Sequence, residues 1–181
     1  MAIRPVRLLG DPVLRSECES VKRPQSSAVK LVADDLQETL RDLRARYGYG
    51  SGLAAPQIGA PMRLVYVETD APLFLTNPKI LDVGTDDFQV WDGCFSVPDL
   101  LVRVQRAYHI SVGFQDLKGE RHQLDAHGEF AALLQHEIDH LDGVLTVDRP
   151  SGIDAFCLRQ EWNKHHAENG SYGEPYTRKV P

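Results

Sequence analysis

Val29, Val32, Leu36, Leu40 and Leu43 recur at steps of three and four, with charged residues between them. That period places the five on one stripe of a helix. Ser26 or Ser27 stands where a cap belongs, and Gly48 and Gly50 follow the last apolar position. The spacing therefore predicts a helix reaching about Tyr47. Beyond it the period shortens. Residues 62–67 read as a strand, and 73–81 as an extended stretch broken by Asn77-Pro78. Residues 88–91 are β-like, and 101–105 and 108–114 read as strands. Leu117-Lys118-Gly119-Glu120 is a turn into a further strand over 121–124. Residues 130–141 are largely apolar, without proline or glycine, and read as a second helix. A third helix is expected over 153–165, where Ile153, Phe156, Cys157 and Gln160 give a moderately apolar face. Residues 167–181 are polar and read as a tail. The sequence has no internal repeat, and the alternation of elements is an α+β layout.

Length and charge narrow the function classes. One domain is the default for 181 residues, a length ample for a hydrophobic core. A formal charge of −6 argues against general affinity for nucleic acid or anionic membranes. No apolar run approaches the ~20 residues of a membrane span, and the first residues lack the apolar core of a secretion signal. Three cysteines make a disulfide framework improbable, and a reducing cytoplasm suits a free thiolate.

The second helix carries His136-Glu137-Ile138-Asp139-His140. Residues i and i+4 share a helix face, so both imidazoles can reach one divalent ion. Glu137, next to the first histidine, can reach a water on that ion without ligating it. Two histidines and a general-base carboxylate form the core of a metal-assisted hydrolase. The plain alternative is a surface helix that happens to hold two histidines. A third ligand is needed, and no histidine or acid after His140 has the spacing of the extended zinc-protease motif. Cys94 is a candidate, since it follows the β-like run and a glycine in Trp91-Asp92-Gly93-Cys94-Phe95-Ser96. Alone it would read as an inert buried thiol. A third segment, Gly50 to Gly59, packs small residues around Gln57, whose amide could donate to a developing oxyanion. No Gly-Lys-Ser/Thr follows, so this is not a phosphate loop.

These three segments together resemble the peptide deformylases. The family motifs Gly-x-Gly-x-Ala-Ala-x-Gln, Glu-Gly-Cys-x-Ser and Gln-His-Glu-x-Asp-His are matched in order. Here they read Gly50-Ser51-Gly52-Leu53-Ala54-Ala55-Pro56-Gln57, Asp92-Gly93-Cys94-Phe95-Ser96 and Gln135-His136-Glu137-Ile138-Asp139-His140. Residues 9–15 and 141–145 are similar to further family segments, so the resemblance spans roughly 3 to 150. It implies a single α+β domain of small, mostly antiparallel sheets around the metal-binding helix, with an N-terminal and a C-terminal helix. Residues 1–166 would form the catalytic domain, and 167–181 the tail.

The resemblance also implies a site. Cys94, His136 and His140 would hold one divalent ion. Ferrous iron is native in many members, with zinc, nickel or cobalt as substitutes. Glu137 would act as general base and then general acid, and Gln57 and the Phe95 backbone N–H would hold the oxyanion. Gly50, Ser51, Gly52, Leu53, Asp92, Gly93, Glu129, Ala132 and Leu133 would bind substrate. The substrate would be the N-formylmethionyl peptide of a nascent protein, or another small N-formyl compound, and the product formate. Association with the ribosome is not readable from the sequence, and no membrane or specific nucleic acid is expected as a partner.

Four positions depart from the family pattern. Asp92 replaces the glutamate that opens the second motif, and the shorter side chain must either move the backbone or accept a bridging water. Ser51 replaces a branched apolar residue. Leu101 lies where many members carry an arginine. Glu129 lies close to two helical turns before His136, on the stripe with Ala132 and Leu133. It reads either as a polar group in the substrate pocket or as an acid at a helix start, favoured by the helix dipole. Three alternatives follow: the same chemistry on an N-formyl substrate with a more polar side chain, a catalytically silent binding protein of the same fold, and a general zinc protease.

Overall fold

A computed structural model describes residues 2–166, and the expected tail lies outside the described residues. The first helix, α1, spans Ser27–Tyr47. The Ser26 hydroxyl accepts from the Val29 N–H at 3.4 Å, and Gly48 ends the helix in the left-handed region at φ 77°. Val29, Leu36, Leu40 and Leu43 are buried as the stripe predicts. Ala33 is fully buried with them, whereas Val32 is only half-buried.

Among the described residues, eight strands follow in two antiparallel sheets. The larger has the order β1-β2-β3-β6-β7, built from β1 (Gly52–Ala54), β2 (Leu64–Glu68), β3 (Pro72–Val83), β6 (His109–Gln115) and β7 (Arg121–His127). The smaller runs β4-β5-β8, from β4 (Asp87–Cys94), β5 (Val97–Ala107) and β8 (Phe156–Leu158). Between them lies α2 (Gly128–Leu141). Its Ala131, Leu134 and Ile138 join Val65, Leu75 and Val112 of the larger sheet. Its Ala132 packs with Val90, Val102 and Val104 of the smaller one. A helix apolar on two opposite sides can hide both only by running through the middle. The α+β layout around a central helix is as expected.

Two elements differ from the sequence reading. Asn77-Pro78 does not break its stretch, because β3 runs through it with a register shift between Thr76 and Lys79. Asn77 takes φ 51° and its amide replaces lost ladder bonds, accepting from Val21 N–H at 2.7 Å and donating to Val21 C=O at 2.8 Å. The C-terminal segment is the second difference. After a turn at 153–154, residues 156–158 form strand β8, paired with Leu100, Leu101 and Val102 of β5, and only Arg159–His165 is helical, as α3. The free edge of β5 offers more hydrogen bonds to residues 156–158 than their modest helical stripe offers in burial.

Candidate metal centre and active site

The three expected ligands meet in the interior. One turn of α2 turns His136 and His140 to the same side, with their Nε2 atoms 3.2 Å apart. Cys94, the last residue of β4, brings Sγ to 3.3 Å from His140 Nε2. It reaches inward because the β4–β5 register shifts between Gly93 and Cys94, so the chain turns sharply there. The sulfur is held by two further N–H groups, Ser96 N at 3.4 Å and Gln57 Nε2 at 3.5 Å. All three ligands are buried. Metal–nitrogen bonds of about 2.0–2.1 Å and a metal–sulfur bond of about 2.3 Å give tetrahedral edges of roughly 3.3–3.6 Å. The donor spacing therefore fits one ion of that kind.

A chain of charges braces the ligands from behind. His136 Nδ1 lies 2.9 Å from the Asp92 carboxylate, which leaves Nε2 as the nitrogen turned to the site. Asp92 reaches this contact directly, without a bridging water. Arg106 Nη2 donates to Asp92 at 2.9 Å, and its Nη1 donates to Asp139 at 2.6 Å. Arg149 closes the chain on Asp139 at 2.8 Å. Burial opposes charge on both Asp92 and His136, but their mutual attraction outweighs it, aided by Arg106 at Asp92 and by Cys94 at His136. The Asp92 carboxyl is held well below the usual range and the His136 imidazole well above it. His140 has no such carboxylate, and burial pushes it well below the ordinary histidine value. Its buried Nδ1 has no hydrogen-bond partner among the described residues, so no carboxylate braces the ring from behind.

Glu137 is buried beside the ligands, and its Oε2 has no hydrogen-bond partner among the described residues. Burial lifts its carboxyl to about 7, a value suited to exchanging protons near neutrality. Gly52 lies against this carboxyl so closely that a Cβ there would overlap it, so the glycine is a steric requirement. Gln57 is fixed at both ends of its amide. Its Oε1 accepts from Ala54 N–H at 2.9 Å, and its Nε2 faces Cys94 and Ser96 Oγ, the latter at 3.2 Å.

A cavity of about 460 Å³ opens beside this cluster. Val90, Trp91, Phe130, Ala132 and Leu133 give it an apolar wall, and Ser51, Glu129 and Arg159 are polar groups along it. Gly50, Gly52 and Gly93 line the smaller space that leads to Cys94, His136 and Glu137. Leu53 stands apart, fully buried beneath α1. Glu129 is exposed in the first turn of α2, at the cavity edge, and is not enclosed by it. Leu101 is fully buried, its side chain laid against Gly93. Phe95 stacks on Tyr49 with centroids 5.4 Å apart, and its ring fills the space where a Cβ of Gly50 would stand.

Sequence reasoning missed Arg106, Asp139, Arg149 and Arg159. Arg106 carried a signal, since a lone arginine between Val104 and Ala107 in a strand must find carboxylates if that strand is buried. Arg159 carried none.

A profile of the polypeptide deformylase family matches residues 3–155. A peptide deformylase of Dictyoglomus thermophilum is 39% identical over 148 residues, 81% of this chain and 92% of that protein. The crystal structure of peptide deformylase from Thermotoga maritima superposes with TM-score 0.79 at 33% identity, covering 84% of this chain and 100% of the other. That of a class I type b peptide deformylase from Acinetobacter baumannii with Met-Ala-Ser bound gives TM-score 0.75 at 29% identity, covering 82% and 98%.

Proposed function

The chain belongs to the polypeptide deformylase family, and on that premise we propose the residues that carry the reaction. The enzyme is a metal-dependent hydrolase that removes the formyl group from N-formylmethionyl peptides and releases formate. Cys94, His136 and His140 would hold its metal ion. When bound, the ion would supply Lewis acidity and make the attacking water more acidic. Glu137 takes the proton from the attacking water and returns it to the leaving amine, as base and then acid. The Gln57 amide and the Phe95 N–H are offered to the oxyanion that develops at the formyl carbon. Asp92, anchored on Arg106, orients His136. One formamide C–N bond is broken, one water is consumed, and formate and a free amine leave.

The observation that carries this reading is the convergence of one sulfur and two Nε2 atoms beside a buried carboxyl lifted to about 7. The apolar wall of the cavity suits methionine, and the exposed position of Glu129 weakens the case for a polar side chain. We propose ferrous iron as the native ion, with zinc, nickel or cobalt as substitutes. Thiolate and imidazole donors favour these over magnesium or calcium. Among the described residues no helix is long and apolar enough to cross a membrane. A cytoplasmic location is our reading, supported by three free cysteines. The test is formate release from formyl-Met-Ala-Ser by protein purified anaerobically with iron. Formate and free amine should appear in equal amounts. Metal-loaded protein that releases neither would overturn the assignment.

A further inference from the structure

Gln57 and Ser96 stand on different elements, yet their side chains meet. Gln57 lies in the short 3-10 helix Ala55–Ile58, and Ser96 in the turn between β4 and β5, 39 residues away. A third segment joins their backbones. The Arg7 N–H donates to the Gln57 carbonyl at 2.8 Å, and the Leu9 N–H donates to the Ser96 carbonyl at 2.9 Å. In a chain of extended character alternate N–H groups face one side, roughly 6–7 Å apart, so donors at 7 and 9 can span two carbonyls. The segment itself buries little. Residues 2–8 lie in neither helix nor strand, Ile3, Leu8 and Leu9 are exposed, and Val6 is its one residue packed in a hydrophobic cluster. Both ends are fixed. At one, the Asp35 carboxylate accepts from Ala2 N–H and from Arg4 Nε, each at 2.7 Å, and Thr39 Oγ1 accepts from Arg4 N–H at 2.9 Å. Asp35 and Thr39 are buried on α1, where polar groups need such partners. At the other end, Asp11 N–H donates to the Leu8 carbonyl at 3.0 Å and Gly10 takes φ 108°. These are the marks of a type II turn, with Leu9 as its first central residue.

We propose that residues 2–9 form a positioning strap for the Gln57 amide, an inference that rests on the deformylase reading only in taking that amide for an oxyanion donor. The donors at 7 and 9 set the separation of the Gln57 and Ser96 backbones. That separation lets Gln57 Nε2 reach Ser96 Oγ at 3.2 Å. One N–H of the amide is spent there, and Oε1 is held by the Ala54 N–H at 2.9 Å. The amide plane is thereby fixed, and its second N–H is turned to the ligand cluster, a direction marked by the 3.5 Å contact with Cys94 Sγ. Asp35 and Arg4 act as the clasp that keeps the strap on α1. Leu9 acts through its N–H, since its side chain is exposed. A misplacement of about 1 Å far from the chemistry can cost on the order of 10²-fold in rate, so a hydrogen bond behind Ser96 bears on turnover.

Leu9→Pro is the probe. Proline is favoured at the first central position of a type II turn, so it keeps the turn and removes only the N–H. The metal-loaded full chain is compared as wild type, Leu9→Pro, Leu9→Ala, Gln57→Ala and Gln57→Ala with Leu9→Pro, on formyl-Met-Ala-Ser. For Leu9→Pro, kcat should fall about tenfold or more at unchanged KM and metal content, because the misplaced donor serves the transition state. Leu9→Ala keeps the N–H and should recover the loss. In the Gln57→Ala background the proline should cost nothing further, because the amide it aims is gone. The zinc-loaded proteins are also compared by amide NMR. The Gln57 side-chain signals, identified by their loss in Gln57→Ala, should move in Leu9→Pro and return in Leu9→Ala. Unchanged kcat in Leu9→Pro, an equal loss in Leu9→Ala, a full further loss without Gln57, or unmoved Gln57 signals would each overturn the proposal. Loss of metal together with turnover in Leu9→Pro would mean a structural role and overturn it too. A wild type that releases no formate would defeat the deformylase reading alone, and the Gln57 signals would still decide whether the strap aims the amide.

Discussion

The two ends of α2 follow different rules. Its C-terminal half carries His136, Glu137 and His140, all buried, with Asp139 tied to Arg106 and Arg149. Its N-terminal turn carries Glu129, exposed at the cavity edge. The difference teaches where substitution is free. The donors need low dielectric and fixed directions, so each is held by packing or by a partner with a partner of its own. The cavity edge meets water, where an added charge or hydroxyl costs little. Departures at Ser51 and Glu129 fall on that edge. The departure nearest the ligands, Asp92, keeps a carboxylate on His136 Nδ1.

The largest effect should come from the buried half. Glu137→Gln removes the proposed proton carrier and leaves the three proposed ligands, so kcat should fall on the order of 10²-fold or more while metal content holds. Formate release at saturating substrate, with metal analysis on the same sample, decides it. Wild-type turnover would remove Glu137 from the chemistry.

Asp92→Ala comes next. It takes the partner from His136 and leaves Arg106, which is buried with only 3% of its side chain exposed, with Asp139 as its remaining carboxylate. Metal affinity should drop about 10–100-fold, as for lost partners of ligating histidines. Stability should fall by roughly 3–5 kcal/mol, the usual cost of breaking a buried ion pair. A competitive chelator titration and a urea unfolding curve measure the two separately. Unchanged values in both would show that the brace is ornamental and that α2 alone aims the histidine.

The exposed half should respond least. Glu129→Leu with Ser51→Ile makes the cavity edge more apolar, yet Glu129 faces water already. The gain in kcat/KM for formyl-Met-Ala-Ser should stay below about tenfold, at the low end for a pocket contact. A gain of a hundredfold would mean that Glu129 turns inward when substrate is bound, and the contrast between the two halves of α2 would fail.

Much of the site was legible because it is written locally. The period of α2 turns His136 and His140 to one side, and the apolar run around them announces burial. Cys94 could be named only through its neighbours in the motif, since nothing in its own segment foretells the register shift that turns it inward. The partners within the brace were not legible, although Arg106 left a signal. Arg106 meets Asp92 and Asp139 across 14 and 33 residues; the pairing of β4 with β5 creates the first contact, and the packing of β5 on α2 creates the second. Residues 156–158 failed for another reason. Three residues are too few for a period to distinguish strand from helix, and the free edge of β5 decided between them.

The central claim is that Cys94 completes a single metal centre with His136 and His140. The most direct measurement is metal content and formate release for wild type and Cys94→Ala, both purified anaerobically with iron. Wild type should hold one ion per chain and release formate from formyl-Met-Ala-Ser, and Cys94→Ala should lose both together. Full metal occupancy with normal turnover in that variant would contradict the account.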